Sequence, residues 1–385
     1  MFRILQKKIV VSLQYYRYCH QLSNGTLKIQ ELSNRGALKV KGPEAQSFLQ
    51  GLITNDIAHL KDSTSSMYTM FLNTKGRVLA DSIIYRAPEE HTYLIEIDSL
   101  LVPILEKHLS TYILRKKLEI TNLELILRLW VLFDTQSPKR TEVHPKIKEI
   151  LARKNSRSNT DQDVLYIYKD PRSWRLGARL LASTDLKVDT IQDKLNICND
   201  IDETDSPHQL LRYKLGIGEG SLELPPGKCF PLEANCDYLH GISFQKGCYL
   251  GQELTARTYH TGVIRKRLMP LIFNENTENK LGNDETIYIR DNKTNVGKLR
   301  GACEKYGLGL LRIDNALKHN DFTIGECQAK TERPSWWPLE ASKVAAKEAK
   351  SGDVIENENR STETVGETKT SQTDEVAKDA VTRTS

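Results

Sequence analysis

With 385 residues the chain has room for two or three domains with cores of their own. Its formal net charge of +5 is matched by Arg3, Lys7, Lys8, Arg17 and Lys28 near the start, so the body is close to neutral and carries no electrostatic footprint for nucleic acid. No apolar run is long enough to span a bilayer as a helix, so no membrane span is expected.

The opening stretch, MFRILQKKIVVSLQYYRYCHQLSNG, mixes bases with apolar residues and has no acid before Glu31. That composition fits a mitochondrial presequence over residues 1–23, removed on import to the matrix. From there the body (24–262) alternates strand and helix patterns. GALKVKG (36–42) has the two-residue period of a strand, and Pro43 then opens a helical stretch over 42–57. Residues 66–86 read as a hairpin turning at Asn73-Thr74-Lys75-Gly76, and 92–97 as a further strand. Asp98 is placed to cap a helix through Thr111, with Leu100, Leu101, Ile104, Leu105 and Leu109 at helical spacing. Strands are expected at 125–134, 164–170 and 176–182, and helices at 207–216 and 251–258. Beyond residue 263 the pattern is strand-like and punctuated by glycine, which predicts a small β-barrel over 263–338. The expected class is α+β. After Leu339 there is no further Leu, Met, Phe, Tyr or Trp, so 339–385 is expected to be a disordered tail.

Seven cysteines, at 19, 198, 229, 236, 248, 303 and 327, form no C-x-x-C pair, which argues against a zinc ribbon, a thioredoxin motif or a disulfide framework. Cys248 stands apart in ISFQKGCYLGQELTART (242–258), between Gly247 and Gly251. If Gly251 opens a helix, the thiol sits just before its first turn, where unpaired amides and the helix dipole favour a thiolate. Lys246 and Arg257 would add positive charge if they fold back toward the sulfur. Such a thiolate can be a nucleophile, a redox sensor or a soft-metal ligand. The same stretch can also be a glycine turn whose cysteine merely packs. One cysteine cannot hold an iron–sulfur cluster alone, so a ligand role needs a partner.

KGCYLGQELTART resembles the signature of the YgfZ family, relatives of the glycine-cleavage T-protein. FLQGLITND (48–56), NTKGRVLAD (73–81), LLRYKLGI (210–217), PLEANCDYLHGISF (231–244) and GVIRKRL (262–268) follow the family's order, and the similarity covers residues 35–330. The resemblance implies a T-protein-like fold, with three subdomains, two of them interleaved in the body, around a central hole that can hold a folate. For the mitochondrial branch it implies late-acting iron–sulfur cluster assembly: a chain acting as a monomer with an A-type carrier on four-iron client apoproteins such as aconitase and lipoate synthase. Carried over residue by residue, Cys248 is the functional thiol, able to share a bridging iron–sulfur cluster with the carrier. Lys246, Gly247, Tyr249, Gly251, Gln252 and Glu253 shape its loop. Arg257, Arg212, Asn55, Asp81 and Glu233 are the remaining candidates for holding a cofactor, tetrahydrofolate included.

Two departures from T-proteins bear on the alternative reading, a folate-dependent aminomethyltransferase. Ala80-Asp81 stands where T-proteins carry paired aspartates, and Lys214 stands where they carry a glutamate. A carboxylate accepts hydrogen bonds from the amino and ring N–H groups of a pterin, and an ammonium cannot. Aminomethyl transfer is therefore not expected, unless the alignment slips by one residue in favour of Asp81 or Glu233 substitutes for the lost carboxylate. His240, His260, Cys229 and Cys236 lack ligand spacing. Asn55-Asp56 either lines the central hole or begins a turn. Trp336-Trp337 is expected to plug the last domain against the body, and Arg265-Lys266-Arg267 to form a solvated strand face.

Overall fold

Two short strands, β1 (Leu27–Glu31) and β2 (Arg35–Lys41), begin the ordered core and enter different sheets. The computed structural model describes residues 26–63, 65–153, 164–197, 207–277, 280–319 and 321–338. The presequence and the tail expected at the two ends lie outside these residues, as do Cys19 and Cys198. Helix α1 (Ala45–Gln50) is shorter than the 42–57 expected. Gly51 stands at its C-cap, and Asp56 then starts a separate single turn by accepting from the amide of Ala58. The hairpin forms as read, with β3 (Ser66–Leu72) and β4 (Val78–Arg86) either side of 73–76.

Strand β5 (Thr92–Asp98) ends at Asp98, which caps one turn over Ser99–Leu101. Helix α2 (Val102–Ile113) begins after that turn. The helical phase therefore differs from the one read: Leu101, Val102, Leu105 and Leu109 are buried, while Leu100 and Ile104 are 70% and 48% exposed. Strand β6 (Glu119–Asn122) completes a five-stranded sheet in the order β3-β4-β5-β2-β6. Next come β7 (Leu127–Asp134), α3 (Pro145–Leu151), β8 (Leu165–Lys169), β9 (Ala178–Ser183) and α4 (Val188–Leu195). Strands β1, β7, β9 and β8 make a four-stranded sheet. Because β1 joins this sheet and β2 the other, the two are interleaved along the chain.

Strand alternation sorts the apolar residues into three layers. Outer faces pack on helices: Ala80 and Ile84 of the five-stranded sheet meet Phe48, Leu105 and Leu109 of α1 and α2, and Leu180 of the four-stranded sheet meets Ile147 and Ile191 of α3 and α4. The inner faces share one cluster, with Ile83, Tyr85, Val131, Phe133 and Leu181. Helices α5 (Pro207–Leu215), α6 (Gly220–Glu223) and α7 (Gln252–Thr261) lead to the barrel. Its elements are β10 (Lys266–Phe273), β11 (Thr286–Ile289), β12 (Asn295–Cys303), β13 (Tyr306–Arg312), α8 (Ile313–His319), β14 (Phe322–Ile324) and β15 (Cys327–Thr331). The six strands close in the order β10-β13-β12-β11-β14-β15. Trp336 follows, and its indole N–H donates to the carbonyl of Leu215 at 2.7 Å. Among the described residues no helix is long and apolar enough to cross a membrane.

Charge is built into the inner layer. Arg179 on β9 reaches Glu96 on β5 at 2.9 Å, Asp170 at 3.1 Å and Glu219 at 2.5 Å, with every side chain at or below 1% exposure. Arg35, Asp81 and Arg172 extend the network, and the hydroxyl of Tyr85 donates to Glu96. Isolated ions would not survive such burial; here each is paired.

Candidate functional site

Residues 50–55, between α1 and β3, form a platform for the cysteine loop. Thr54 donates its hydroxyl to Gly241 O at 2.7 Å, and the amide of Ser243 donates to Thr54 O at 3.1 Å. Asn55 donates to the carbonyls of Tyr68 and His240, while its own side-chain oxygen accepts from the amide of Asp56. On the far side of the thiol, the Leu250 amide donates to Gly51 O at 3.0 Å. Asn55 is 3% exposed with its polar atoms occupied, so it fastens the loop and does not line a hole.

Lys246 completes the attachment. Its ammonium donates to Gln50 O, Ile53 O and Asn55 O at 2.7, 2.8 and 2.7 Å. This corrects the expectation that Lys246 lends its charge to the sulfur: all three N–H groups face carbonyls. Burial pushes its pKa down to about 8, with Asp56 opposing the shift. Three of the amides after the thiol are also occupied. Besides Leu250, Tyr249 N–H donates to the side-chain oxygen of Gln252, and Gln252 N–H to Tyr249 O. Gly251 at the N-cap brings no side-chain bond to the helix start.

What remains free is the tip. Gly247 and Cys248 are exposed, and a side chain at Gly247 would meet nothing within 4 Å. Gly251 opens α7 as expected, at φ +78°, with its backbone against Asn73 O and Gly76 of the β3–β4 hairpin. That left-handed conformation and close approach suit glycine alone. Tyr249 is buried beneath the loop, while Glu253 and Arg257 sit on the exposed side of α7. Arg257 lines a groove with Thr74, Lys75 and Leu254.

The other thiols differ from Cys248. Cys229, Cys236 and Cys327 are buried and Cys303 is partly buried, so Cys248 is the exposed cysteine of the described set. Burial pushes the Cys229 thiol up to about 11 and Cys236 well above its usual range. Among the described residues, no three of His, Cys, Asp and Glu converge as a metal-binding group. His260 packs edge-on against Tyr259, which stacks on Phe244 at 3.6 Å.

The remaining candidates lie elsewhere. Asp81 is on the inner face, where it accepts from Gly220 N–H at 3.0 Å and pairs with Arg35 at 3.4 Å. Ala80 faces the apolar helix-packed layer, so an acid there would point away from the charged interior. Arg212 lines a cavity of about 440 Å³ with Asn34, Asp98, His208, Glu219 and Arg300. Glu233 is not among its walls; it is half-buried near Lys266, Arg300 and Arg77, and burial raises its pKa.

The cavity allows a test of the pterin expectation. Its carboxylates have partners: Glu223 holds Arg212 in two bonds of 2.6 and 2.8 Å, Glu219 faces Arg172 and Arg179, Asp98 accepts from Leu100 and Ser221 amides, and one oxygen of Glu31 pairs with Arg128 at 3.4 Å. Lys214 is outside, 4.8 Å from the Tyr306 ring centroid. The fully buried side-chain atoms of its lining without a hydrogen-bond partner are Arg212 Nε and Arg300 Nε, which donate, and His208 Nε2, on a ring that burial keeps neutral. A pterin's amino and ring N–H edge calls for acceptors; of these three atoms the imidazole nitrogen alone can be one.

Sequence reading missed the platform itself. The stretch FLQGLITND was visible, but its contribution comes from backbone carbonyls, which carry no residue-type signal. Arg267 was misplaced: it is 1% exposed and grips Asp237 at 2.8 Å.

Comparison with known proteins agrees with the fold. Residues 19–146 match the family described as GCVT N-terminal domain, and residues 265–339 the family described as CAF17, C-terminal beta-barrel domain. The aminomethyltransferase T of the glycine cleavage system from Bartonella henselae shares the fold, with TM-score 0.59 at 14% identity over 82% of this chain and 87% of that one. The mitochondrial iron–sulfur cluster assembly factor IBA57 of Mus musculus is 33% identical over 80% of this chain and 85% of its own length. The Homo sapiens factor of the same name is 34% identical over 80% and 84%. The chain belongs to the IBA57 family, whose curated members are named mitochondrial iron–sulfur cluster assembly factors.

Proposed function

We propose that this protein is a mitochondrial iron–sulfur cluster assembly factor that works in the matrix and supplies Cys248 as one ligand to a cluster held jointly with an A-type carrier. The observation that carries the reading is the exposed Cys248 on a loop anchored on both sides, while the other described thiols are buried or partly buried. The cluster is cargo. Cys248 gives its proton to solvent and binds one iron through sulfur, and the carrier's thiolates hold the remaining sites. Four-iron enzymes of the aconitase and lipoate synthase type are the clients. Folate chemistry is left out of this reading, because the carboxylates of Asp98, Glu219 and Glu223 in the cavity beside Arg212 are engaged.

The test is to mix a cluster-loaded A-type carrier with wild type, Cys248→Ser and Cys229→Ser, and to record visible absorption and circular dichroism. Wild type and Cys229→Ser are expected to give the same holo complex, and Cys248→Ser none. An identical spectrum from Cys248→Ser rules out the ligand role.

A further inference from the structure

Five backbone carbonyls receive the cysteine segment. Those of Gln50, Ile53 and Asn55 converge on the Lys246 ammonium, while Gly51 O takes the Leu250 amide and Thr54 O the Ser243 amide. A carbonyl has no residue type of its own, so side chains that fix the backbone must set its direction. The middle of the platform is fixed on β3. The Thr54 amide donates to Met70 O, the Met70 amide donates to the Thr54 hydroxyl, and the Asn55 amide donates to the Thr69 hydroxyl. The two ends are joined by one side chain, Gln50.

Gln50 is the last residue of α1 and is half-buried. Its side-chain nitrogen donates to Asp56 Oδ1 at 3.0 Å, and its side-chain oxygen accepts from the Ile57 amide at 2.9 Å. A carboxylate on one side and an N–H on the other leave the primary amide a single orientation. These bonds reach six and seven residues ahead and close 50–57 into a ring. Asp56 also accepts from the Ala58 amide at 3.0 Å. That bond, aided by the Gln50 bond and the charges of His59 and Lys246, outweighs the opposing effect of burial and holds its carboxyl below the usual range. Besides the carbonyls, the Lys246 ammonium faces the Tyr249 ring at 5.0 Å and, beyond the carbonyls, the charge of Asp56.

We propose that Gln50 and Asp56 are positioning residues for the cluster-ligating thiol: they hold 50–57 as a three-carbonyl cup for the Lys246 ammonium, and the seated lysine sets where Cys248 stands. The inference rests on the ligand role given to Cys248 above. Both residues act through Lys246, two positions before the thiol. Their tasks differ. Gln50 closes the ring, and Asp56 anchors Gln50 and balances the buried ammonium from outside its carbonyl shell.

The experiment uses the full chain and follows three readouts: titration of the Lys246 side-chain carbons by NMR, amide hydrogen exchange, and retention of a two-iron cluster with an A-type carrier. In Gln50→Ala the ring opens and the ammonium regains water, so its titration is expected to move up from about 8 toward the usual lysine range. In Asp56→Asn the acceptor stays and the charge is lost, so the titration is expected to move down. A general loss of stability does not drive one group in opposite directions. The Leu250 and Ser243 amides are expected to exchange about tenfold faster in Gln50→Ala. Cluster retention is expected to fall about tenfold, as when a group supporting a metal ligand from outside is removed. Gln50→Glu keeps the size and the acceptor for Ile57 but cannot donate to Asp56. It is expected to shift Lys246 in the same direction as alanine, and it carries the test if the alanine variant fails to fold. A Lys246 titration unmoved in the Gln50 variants, or moved upward in Asp56→Asn, overturns the cup. Undiminished cluster retention in a Gln50 variant whose Lys246 titration has shifted overturns the link to the thiol. Retention of the cluster by Cys248→Ser overturns the ligand role and leaves the titration result readable by itself.

Discussion

The ammonium of Lys246 lies 2.8 Å from the carbonyl oxygen of Ile53, with the carbonyls of Gln50 and Asn55 at 2.7 Å. A tetrahedral ammonium is suited to three convergent acceptors; a planar guanidinium is not. Lys246 is therefore the residue that holds the approach to Cys248 on the 50–55 platform. Lys246→Met is expected to keep the fold, lose about 1–3 kcal/mol through unsatisfied carbonyls, and weaken holo-complex formation. Lys246→Arg is expected to restore little. Chemical denaturation together with the absorption of the carrier mixture checks this, and full rescue by arginine would show that charge alone is needed.

The same clamp has a pH signature. Burial lowers the Lys246 pKa to about 8, below its value in an unfolded chain, so the folded state gives up the proton first. Below pH 8 the cost of burying the charge is fully present; between that point and the usual lysine range it is relieved, so this group favours folding more as pH rises. The neutral amine has two N–H groups for three carbonyls, so one bond is lost and the loop loosens while global stability does not fall. NMR titration of lysine side-chain carbons is expected to show one resonance titrating near pH 8 in wild type and none there in Lys246→Met.

The two glycines that bracket the thiol have different reasons to be there. Gly251 sits at φ +78° against Asn73 O, whereas Gly247 faces open space. Gly251→Ala is expected to destabilise the fold by more than about 1 kcal/mol. Gly247→Ala is expected to melt like wild type and to impair only the carrier complex. Thermal melts of both variants decide it.

The buried network makes a separate prediction. Arg179→Met would leave Glu96, Asp170 and Glu219 without their shared cation, which costs about 3–5 kcal/mol for an uncompensated buried charge. Burial alone would raise Asp170, but Arg172 and Arg179 overcome it and hold the pKa at about 2. Its contribution is thus complete above the unfolded carboxylate range and lost as pH falls toward 2. Arg179→Met should unfold at higher pH than wild type in an acid titration followed by circular dichroism.

The sequence made the strands legible wherever one face is apolar, as in β2, β4 and β9, and glycine spacing announced the barrel. Helix α2 slipped in phase because Asp98 caps a separate turn first. Strands β1 and β6 are short and half-polar and left little periodic signal, whereas α4, with Ile191 and Leu195 one turn apart on its buried face, is amphipathic and its pattern went unread. At the site, Cys248, Gly251 and the hairpin at 73–76 could be read from residue types. The direction of Lys246 could not, since its partners are carbonyls 191–196 residues away in sequence. Asp81, Glu96 and Arg179 come from separate strands and meet only in the tertiary fold.

Direct ligation by Cys248 is the central claim, and cysteine-selective carbon labelling reads it most directly. Labelled protein mixed with an unlabelled, cluster-loaded A-type carrier is expected to show the Cβ resonance of Cys248 shifted or broadened by the paramagnetic irons. The resonances of buried Cys229 and Cys236 should stay where they are. A holo complex that forms while the Cys248 resonance does not move would contradict the account.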